Sequence, residues 1–211
     1  MPQDRKTALN APERAPRRGK AARANRREEL LTRAAELIAR QGFDGTSMRD
    51  IAAAVEMLPG SLYYHFASKE DLLLEIHSRV VGDMVARVQT ATRDITDPWE
   101  RLERAAVAHL EGLMEHGHLV NIVSPNFPEE RPELNEKLKA DRNEYEQRFR
   151  ALIDALPLRE GHDRALMRLQ LLGSLNWVPV WFDPARGVPP SQVAESFVRT
   201  LRDGAASQTD T

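Results

Sequence analysis

The sequence contains no cysteine among its 211 residues. This absence excludes a disulfide framework, a thiol nucleophile and a zinc site built on cysteine ligands, and it suits the reducing cytoplasm. Long apolar runs are also missing, so we expect no membrane span. The opening stretch MPQDRKTALNAPERAPRRGK lacks the apolar core of a signal peptide. These absences predict a cytoplasmic chain, and its length is sufficient to bury a substantial core.

Strand-like alternation of useful length is also missing, whereas apolar residues recur at helical spacing along the chain. The sequence therefore predicts an all-α fold of about nine helices. Ser47 with Thr46 can cap a short helix that begins at Met48, Pro59 suits the first turn of a third helix, and Ser68 can cap a long fourth. Later helices are expected to begin near Asp97, Glu133, Asp163 and Ser191, with Pro179 as a kink in the second last.

Charge is distributed unevenly between the two ends of the chain. Residues 1–69 contain 13 Lys and Arg against 8 Asp and Glu, whereas residues 70–211 contain 17 against 24. A basic front suggests that this end meets a polyanion, and a solvated tail is an equally good explanation. We expect a disordered basic arm over 1–24, a first domain over 25–68, a second domain over 69–204 and a disordered tail over 205–211.

The predicted first domain has the helix-turn-helix pattern, three short helices with a tight turn between the second and third. In this motif the third element, here PGSLYYHF, enters the major groove of DNA. Leu62 and Phe66, four residues apart, are expected to pack inward. Tyr63, Tyr64 and His65 would then offer hydroxyl and imidazole groups to the DNA.

These residues also carry a family resemblance. Residues 26–73 resemble the DNA-binding domain of the TetR/AcrR family of transcriptional regulators, through the segments AAELIARQGFDGTSMRDIA and SLYYHFASKEDLL. The resemblance implies phosphate contacts from Thr46, Ser47, Tyr63, His65 and Lys69. It implies contacts to the bases or their rims from Arg49, Pro59, Gly60, Ser61 and Tyr64.

Alternatives remain at several of these positions. Tyr63 could instead pack in the core, and Lys69 could be a solvated residue at a helix start. Glu56 and Leu58 depart from the family, which often has Gly and Ser there, and Glu is strained in a turn that needs positive φ. The basic arm could reach a minor groove or flanking phosphates, or serve only as a tail. Its cations are Arg17, Arg18, Lys20, Arg23, Arg26 and Arg27.

The same resemblance implies that the second domain binds a second copy of the chain and an effector. Members of the family form homodimers through their last two helices, here about 163–182 and 191–202. The two DNA-binding domains of the dimer then contact a palindromic operator. The apolar stripes Leu166, Leu169, Leu172 and Val193, Phe197, Val198, Leu201 suit such a seam. The middle helices of the family enclose a ligand, whose binding lowers the affinity for DNA.

A looser resemblance concerns the effector. GSLNWVPVWFDPARGVPPSQVAESF, with DRNEYEQRFRALIDA upstream, resembles a subgroup linked to lipid, sterol or aromatic-acid catabolism, whose ligands are commonly acyl-CoA thioesters. Apolar candidates for the ligand site are Leu113, Ile122, Phe127, Phe149, Leu172 and Trp177. Polar candidates are Asn121, Arg142, Tyr145, Arg168 and Asn176. Trp177 and Trp181 could equally be dimer core, and Arg142 could pair with Glu146 on its own helix.

Other functions are less well supported by the residues present. His109, His116 and His118 could hold a metal, but core or surface histidines explain them better. The sequence has no Gly-x-Ser-x-Gly elbow, no Gly-rich phosphate loop and no His-Glu-x-x-His, so we expect neither an enzyme nor a bound cofactor. An architectural DNA-binding protein without an effector is the remaining alternative.

Overall fold

The computed structural model describes residues 18–116 and 131–205, and within these ranges it contains eight α-helices, one 3-10 turn and no strand. The all-α prediction is therefore confirmed. The α-helices are α1 (Arg18–Gln41), α2 (Met48–Ala54), α3 (Pro59–His65), α4 (Lys69–Thr92), α5 (Pro98–His116), α6 (Pro132–Asp154), α7 (Arg164–Trp181) and α8 (Pro190–Ala205). Every helix in these ranges is too short or too polar to span a bilayer. The candidates Arg17, His118, Asn121, Ile122 and Phe127 lie outside the described residues.

Several helices begin where their capping residues predict. The side chain of Ser47 accepts a hydrogen bond from the Asp50 N–H, and the Asp50 carboxylate accepts one from the Ser47 N–H, which is a complete capping box before α2. Ser68 caps α4 by accepting from the Asp71 N–H at 3.0 Å. Asp163 caps α7 by accepting from two backbone N–H groups. Pro59 occupies the first turn of α3.

The first helix is longer than its apolar periodicity predicts. It begins at Arg18 rather than near Asn25. The added segment, RGKAARA, has no apolar face but is rich in Ala, Arg and Lys, which have high helix propensity. The other end of α1 is as predicted, because Gly42 follows it with a positive φ of 79°.

The helices enclose two apolar cores. The first, which we call the head, joins α1, α2, α3 and the start of α4 around Ile51, Leu62 and Leu72, all fully buried. The second, the body, joins α5, α6, α7 and α8 with the end of α4. Two leucines of α6, Leu134 and Leu138, belong to the core of the head rather than to the body. Burial of such a side chain contributes about 1.5–3 kcal/mol, so these contacts fix α6 against the head.

Candidate DNA interface and effector cavity

The third helix separates its core residues from its exposed residues as the sequence predicts. Leu62 and Phe66 are buried in the head. Tyr63 is 53% exposed and Tyr64 88% exposed, so neither packs in the core. Pro59, Gly60, Ser61 and His65 are exposed as well. This surface presents hydroxyl, imidazole and aromatic groups together, which suits contacts to phosphates and to base edges.

The loop before α2 uses two of the proposed phosphate ligands internally. The Thr46 hydroxyl is buried and donates to the Gly42 carbonyl oxygen at 2.8 Å. The Lys69 ammonium donates to the carbonyl oxygens of Phe43 and Thr46, at 2.5 and 2.8 Å, and is not a solvated residue. These two side chains therefore hold the loop, and their contacts to phosphates stay a prediction. Ser47 and Arg49, in contrast, are exposed.

Two adjacent arginines of α1 differ in their surroundings. The Arg27 guanidinium donates two hydrogen bonds to the Glu75 carboxylate of α4, at 2.8 and 2.6 Å, and lies over the Phe66 ring. The hydrogen bonds with Glu75 raise the pKa of Arg27, against a smaller opposing effect of burial. Arg26 is exposed. Arg27 thus ties α1 to α4, whereas Arg26 is the cation available to a phosphate.

The body contains a cavity of about 260 Å³ between α4, α5, α6 and α7. Its apolar wall consists of Val80, Val81, Met84, Leu113, Leu169, Leu172 and the backbone of Gly173. Its polar lining consists of His109, His116, Arg142, Tyr145, Glu146 and Asn176. A predominantly apolar lining with a few convergent polar groups is typical of a small-molecule site.

Five of the predicted ligand contacts line this cavity: Leu113, Arg142, Tyr145, Leu172 and Asn176. Three others do not. Phe149 is fully buried below it and packs edge-on against His109 and Tyr145. Arg168 is buried and forms an ion pair with Glu146, so Glu146 is not the partner of Arg142. Trp177 is 63% exposed on α7.

His109, Tyr145 and Asn176 form a hydrogen-bonded trio that joins α5, α6 and α7. His109 Nδ1 lies 2.6 Å from the Tyr145 hydroxyl oxygen, and His109 Nε2 lies 3.0 Å from Asn176 Oδ1. In this arrangement Nε2–H donates to the amide oxygen and Nδ1 accepts from the tyrosine hydroxyl, which is the pattern of a neutral imidazole. The Asn176 amide N–H groups remain available to donate to a ligand.

Burial keeps the trio uncharged. Removal from water lowers the pKa of His109 to about 4, with the hydrogen bond to Asn176 opposing the shift. Burial also raises the pKa of Tyr145 above its ordinary value. Arg142 is the cation that the lining offers, since within the described parts of the chain it has no ion-pair or hydrogen-bond partner.

A charged network between α4 and α5 adjoins the cavity at His116. Asp83 accepts hydrogen bonds from Arg87 at 2.6 Å and from His116 Nε2 at 3.0 Å. Arg87 also donates to Glu115. Burial opposes ionisation of Asp83, but the hydrogen bonds from Arg87 and His116 outweigh it and lower the pKa of Asp83. His116 therefore pairs with a carboxylate, and the described residues contain no group of three metal-ligating side chains.

The sequence did not single out α4 as a cavity wall. Val80, Val81 and Met84 belong to its regular apolar period, which predicts core packing and nothing more. The sequence favoured a core or surface role for His109 over metal binding, and did not connect it with a ligand. One signal could have connected it with the site, because His109 and Leu113 are four residues apart and must share a face of α5.

One face of α7 carries an exposed apolar stripe, which adjoins the cavity at Leu169 and Gly173. Leu166, Leu169, Trp177, Val180 and Trp181 are all exposed, at the three- and four-residue spacing of one helix face. The predicted seam is corrected at two positions, since Leu172 and Val198 are buried in the body. Gly173 lies within the exposed stripe and leaves room for close approach of another helix.

Two family models match the chain. Residues 30–76 match the bacterial regulatory proteins of the tetR family, and residues 96–205 match the tetracyclin repressor-like C-terminal domain. The HTH-type transcriptional repressor KstR2 of Rhodococcus jostii is 30% identical over 195 residues, which are 88% of this chain and 93% of the relative.

Solved structures agree with these matches. The ketosteroid transcriptional regulator KstR2 of Mycobacterium tuberculosis superposes with a TM-score of 0.71 and 25% identity, over 87% of this chain and 96% of that one. AibR in complex with isovaleryl coenzyme A and operator DNA superposes with a TM-score of 0.70 and 26% identity, over 83% of this chain and 97% of that one.

Proposed function

The chain belongs to the TetR family of bacterial regulatory proteins, and from this premise we propose that it is a ligand-responsive transcriptional repressor. It binds a palindromic operator as a homodimer and is released by a small hydrophobic effector, with an acyl-CoA thioester as the effector class. One observation carries the proposal: α6 contributes Arg142 and Tyr145 to the cavity while its other end is buried in the head.

The lining of the cavity supports an acyl thioester. Its apolar wall suits an acyl chain, the Asn176 amide can donate to a carbonyl oxygen, and Arg142 can meet an anionic group. Small-molecule sites usually measure roughly 300–1,000 Å³. A cavity of about 260 Å³ fits a short acyl group rather than a whole acyl-CoA, so the coenzyme would extend from the mouth. AibR is a related structure that holds such a ligand, isovaleryl coenzyme A.

The exposed face of the head supplies the DNA contacts in this proposal. Ser47, Tyr63 and His65 contact phosphates, and Arg49 and Tyr64 face the bases or their rims. Gly60 and Ser61 allow α3 to approach the groove floor closely, since their side chains are small or absent. Thr46 and Lys69 contribute indirectly to DNA binding, because they fix the loop that positions Ser47.

A second copy of this chain covers the apolar stripe of α7. The stripe contains two tryptophans, and large contiguous apolar surface of this kind marks an interface. The adjoining face of α8 is half-buried at Val193, Phe197 and Leu201. A homodimer with two-fold symmetry would place two heads on the two halves of a palindrome.

The effector would act on the head through α4 and α6. Arg131, at the start of α6, forms an ion pair with Asp44 of the loop before α2 at 2.6 Å. Farther along, the Asp141 carboxylate accepts hydrogen bonds from Ser78 at 2.7 Å and interacts with His77 at 3.1 Å. A ligand that moves Tyr145 or Arg142 therefore also moves the head. Bound DNA must lower the affinity for the ligand by the same factor as bound ligand lowers the affinity for DNA.

Fluorescence anisotropy tests this function. Labelled DNA from upstream of the protein's own gene is titrated with the protein, then with acyl-CoA esters of increasing chain length and with the matching free acids. We expect release by a short or medium acyl-CoA and no release by its acid. The variant Leu113→Phe, which fills the cavity, should bind the same DNA and lose the response.

Each contrary result removes a separate part of the proposal. Failure to bind any selected duplex DNA would remove the regulator itself. Tight binding that no ester releases would remove the acyl-CoA effector and favour an architectural DNA-binding protein. Release that persists in Leu113→Phe would place the effector outside this cavity.

A further inference from the structure

Leu58 is an apolar side chain that the head leaves in solvent. It is the N-cap residue of α3 and is 77% exposed. A serine or aspartate there could accept a hydrogen bond from the first turn, but leucine cannot, and α3 has no side-chain cap. Residue 58 therefore serves neither the core of the head nor the start of α3, and its side chain is available to a partner.

The surroundings of Leu58 point to DNA as that partner. Leu58 lines a groove of about 780 Å³ between α1 and α3, together with Arg26, Ser61 and Tyr64. Single apolar residues on a protein surface are common, but this one adjoins the most exposed aromatic residue of the helix proposed to enter the major groove. In the same groove the positive charge of Arg26 offsets the negative charge of Glu56.

The chemistry of the major groove then limits what Leu58 can touch. Base edges present hydrogen-bond donors and acceptors there, and the 5-methyl group of thymine is the apolar group among them. A leucine side chain has no hydrogen-bonding atom, so it gains nothing from a phosphate or from a polar base edge. We propose that Leu58 contacts the 5-methyl group of a thymine in each half of the operator and sets the base preference at that position. This inference rests on the proposed DNA binding.

Deoxyuridine provides the test, because it differs from thymidine only by that methyl group. The operator is first obtained by selecting random duplexes with the full-length protein. Each thymine is then replaced singly by deoxyuridine, and the Kd of every duplex is measured for the wild type and for Leu58→Ser. Serine at residue 58 restores a capping side chain, so this variant should fold at least as well as the wild type.

We expect one position in each half-site to respond. Replacement there should weaken wild-type binding about fourfold, the effect of losing one buried methyl group. The same replacement should leave Leu58→Ser binding unchanged, while Leu58→Met, which keeps an apolar side chain, should retain the sensitivity of the wild type.

Other results would overturn the inference without affecting DNA binding. One is equal sensitivity to deoxyuridine in the wild type and Leu58→Ser at every position. Another is a loss of sensitivity in Tyr64→Ala but not in Leu58→Ser, which would assign the methyl contact to Tyr64. Absence of binding to any selected duplex, in contrast, would refute the proposed function itself.

Discussion

Lys69, the first residue of α4, contacts both the backbone and the ring of Phe43, which follows α1. Its ammonium group donates to the Phe43 carbonyl oxygen at 2.5 Å and lies 4.2 Å from the centre of the Phe43 ring. The same group donates to the Thr46 carbonyl oxygen. One side chain therefore closes the loop between α1 and α2, and this loop carries Ser47, the residue that caps α2.

Replacing Lys69 with methionine should destabilise the protein. Two carbonyl oxygens lose a charged donor, so we expect the free energy of unfolding to fall by about 2 kcal/mol. Affinity for all DNA sequences should fall too, because the loop shifts. Urea denaturation and anisotropy measure the two effects, with the exposed Lys139→Met as the control. Unchanged stability, with a salt dependence of binding reduced by about one phosphate contact, would instead identify Lys69 as a direct phosphate ligand.

The free energy of unfolding should fall as the pH is lowered, because His109 is buried in its neutral form. Its pKa is about 4 in the folded protein against an ordinary value of 6.5, so between these pH values only the unfolded chain takes up the proton. The stability that neutral His109 provides is complete above pH 6.5 and is lost as the pH falls toward 4. Between pH 7.5 and 5 the wild type should lose about 2 kcal/mol more than His109→Gln. Equal losses in urea denaturation would show that His109 does not titrate this way.

Glu56 has a φ of 54°, in the left-handed region, as its place in the turn before α3 predicts. Glycine adopts this conformation without steric cost, so Glu56→Gly should be more stable than Glu56→Ala by about 1 kcal/mol. Both variants remove the carboxylate, which separates backbone strain from charge. Thermal unfolding of the pair measures the difference, and equal melting temperatures would contradict a strained turn.

Trp177→Glu should prevent dimerisation. The Trp177 side chain is exposed in the single chain, so the variant should fold, but a charge in the centre of the proposed seam would be buried without a partner. Analytical ultracentrifugation should show a monomer where the wild type is a dimer, and operator affinity should fall. Val188→Glu changes an exposed apolar residue outside α7 and should remain dimeric. If the Trp177→Glu variant were still a dimer, the dimer interface would have to lie elsewhere on the chain.

Tyr63→Phe removes one hydroxyl group from the exposed face of α3. If this hydroxyl donates to a phosphate, affinity should fall roughly tenfold for specific and unrelated DNA alike, as expected for a hydrogen bond to a charged group. The melting temperature should not change, since Tyr63 is exposed. Anisotropy with two duplexes measures both affinities. A loss confined to the selected operator would indicate a base contact instead.

Local sequence signals predicted most of the helix boundaries. Ser47, Ser68 and Asp163 lie next to the residues they cap, and a capping hydrogen bond needs only the first turn of its own helix. The division of α3 into a buried Leu62 and an exposed Tyr63 and Tyr64 followed from the helical period. The start of α1 was missed because RGKAARA has helix propensity without a period.

By itself, the sequence determined the class of fold, the helix-turn-helix and the family, since these depend on periodicity, caps and short motifs. The tertiary structure decided which side chains meet. It paired Glu146 with Arg168 rather than Arg142, joined His109 to Tyr145 and Asn176, and buried Leu134 in the head. The hydrogen bonds and the ion pair among these contacts join residues that are 22 to 67 positions apart in the sequence. The reason is physical: helical spacing sets the face a residue shares with its neighbours, but only the packing of helices sets what that face touches.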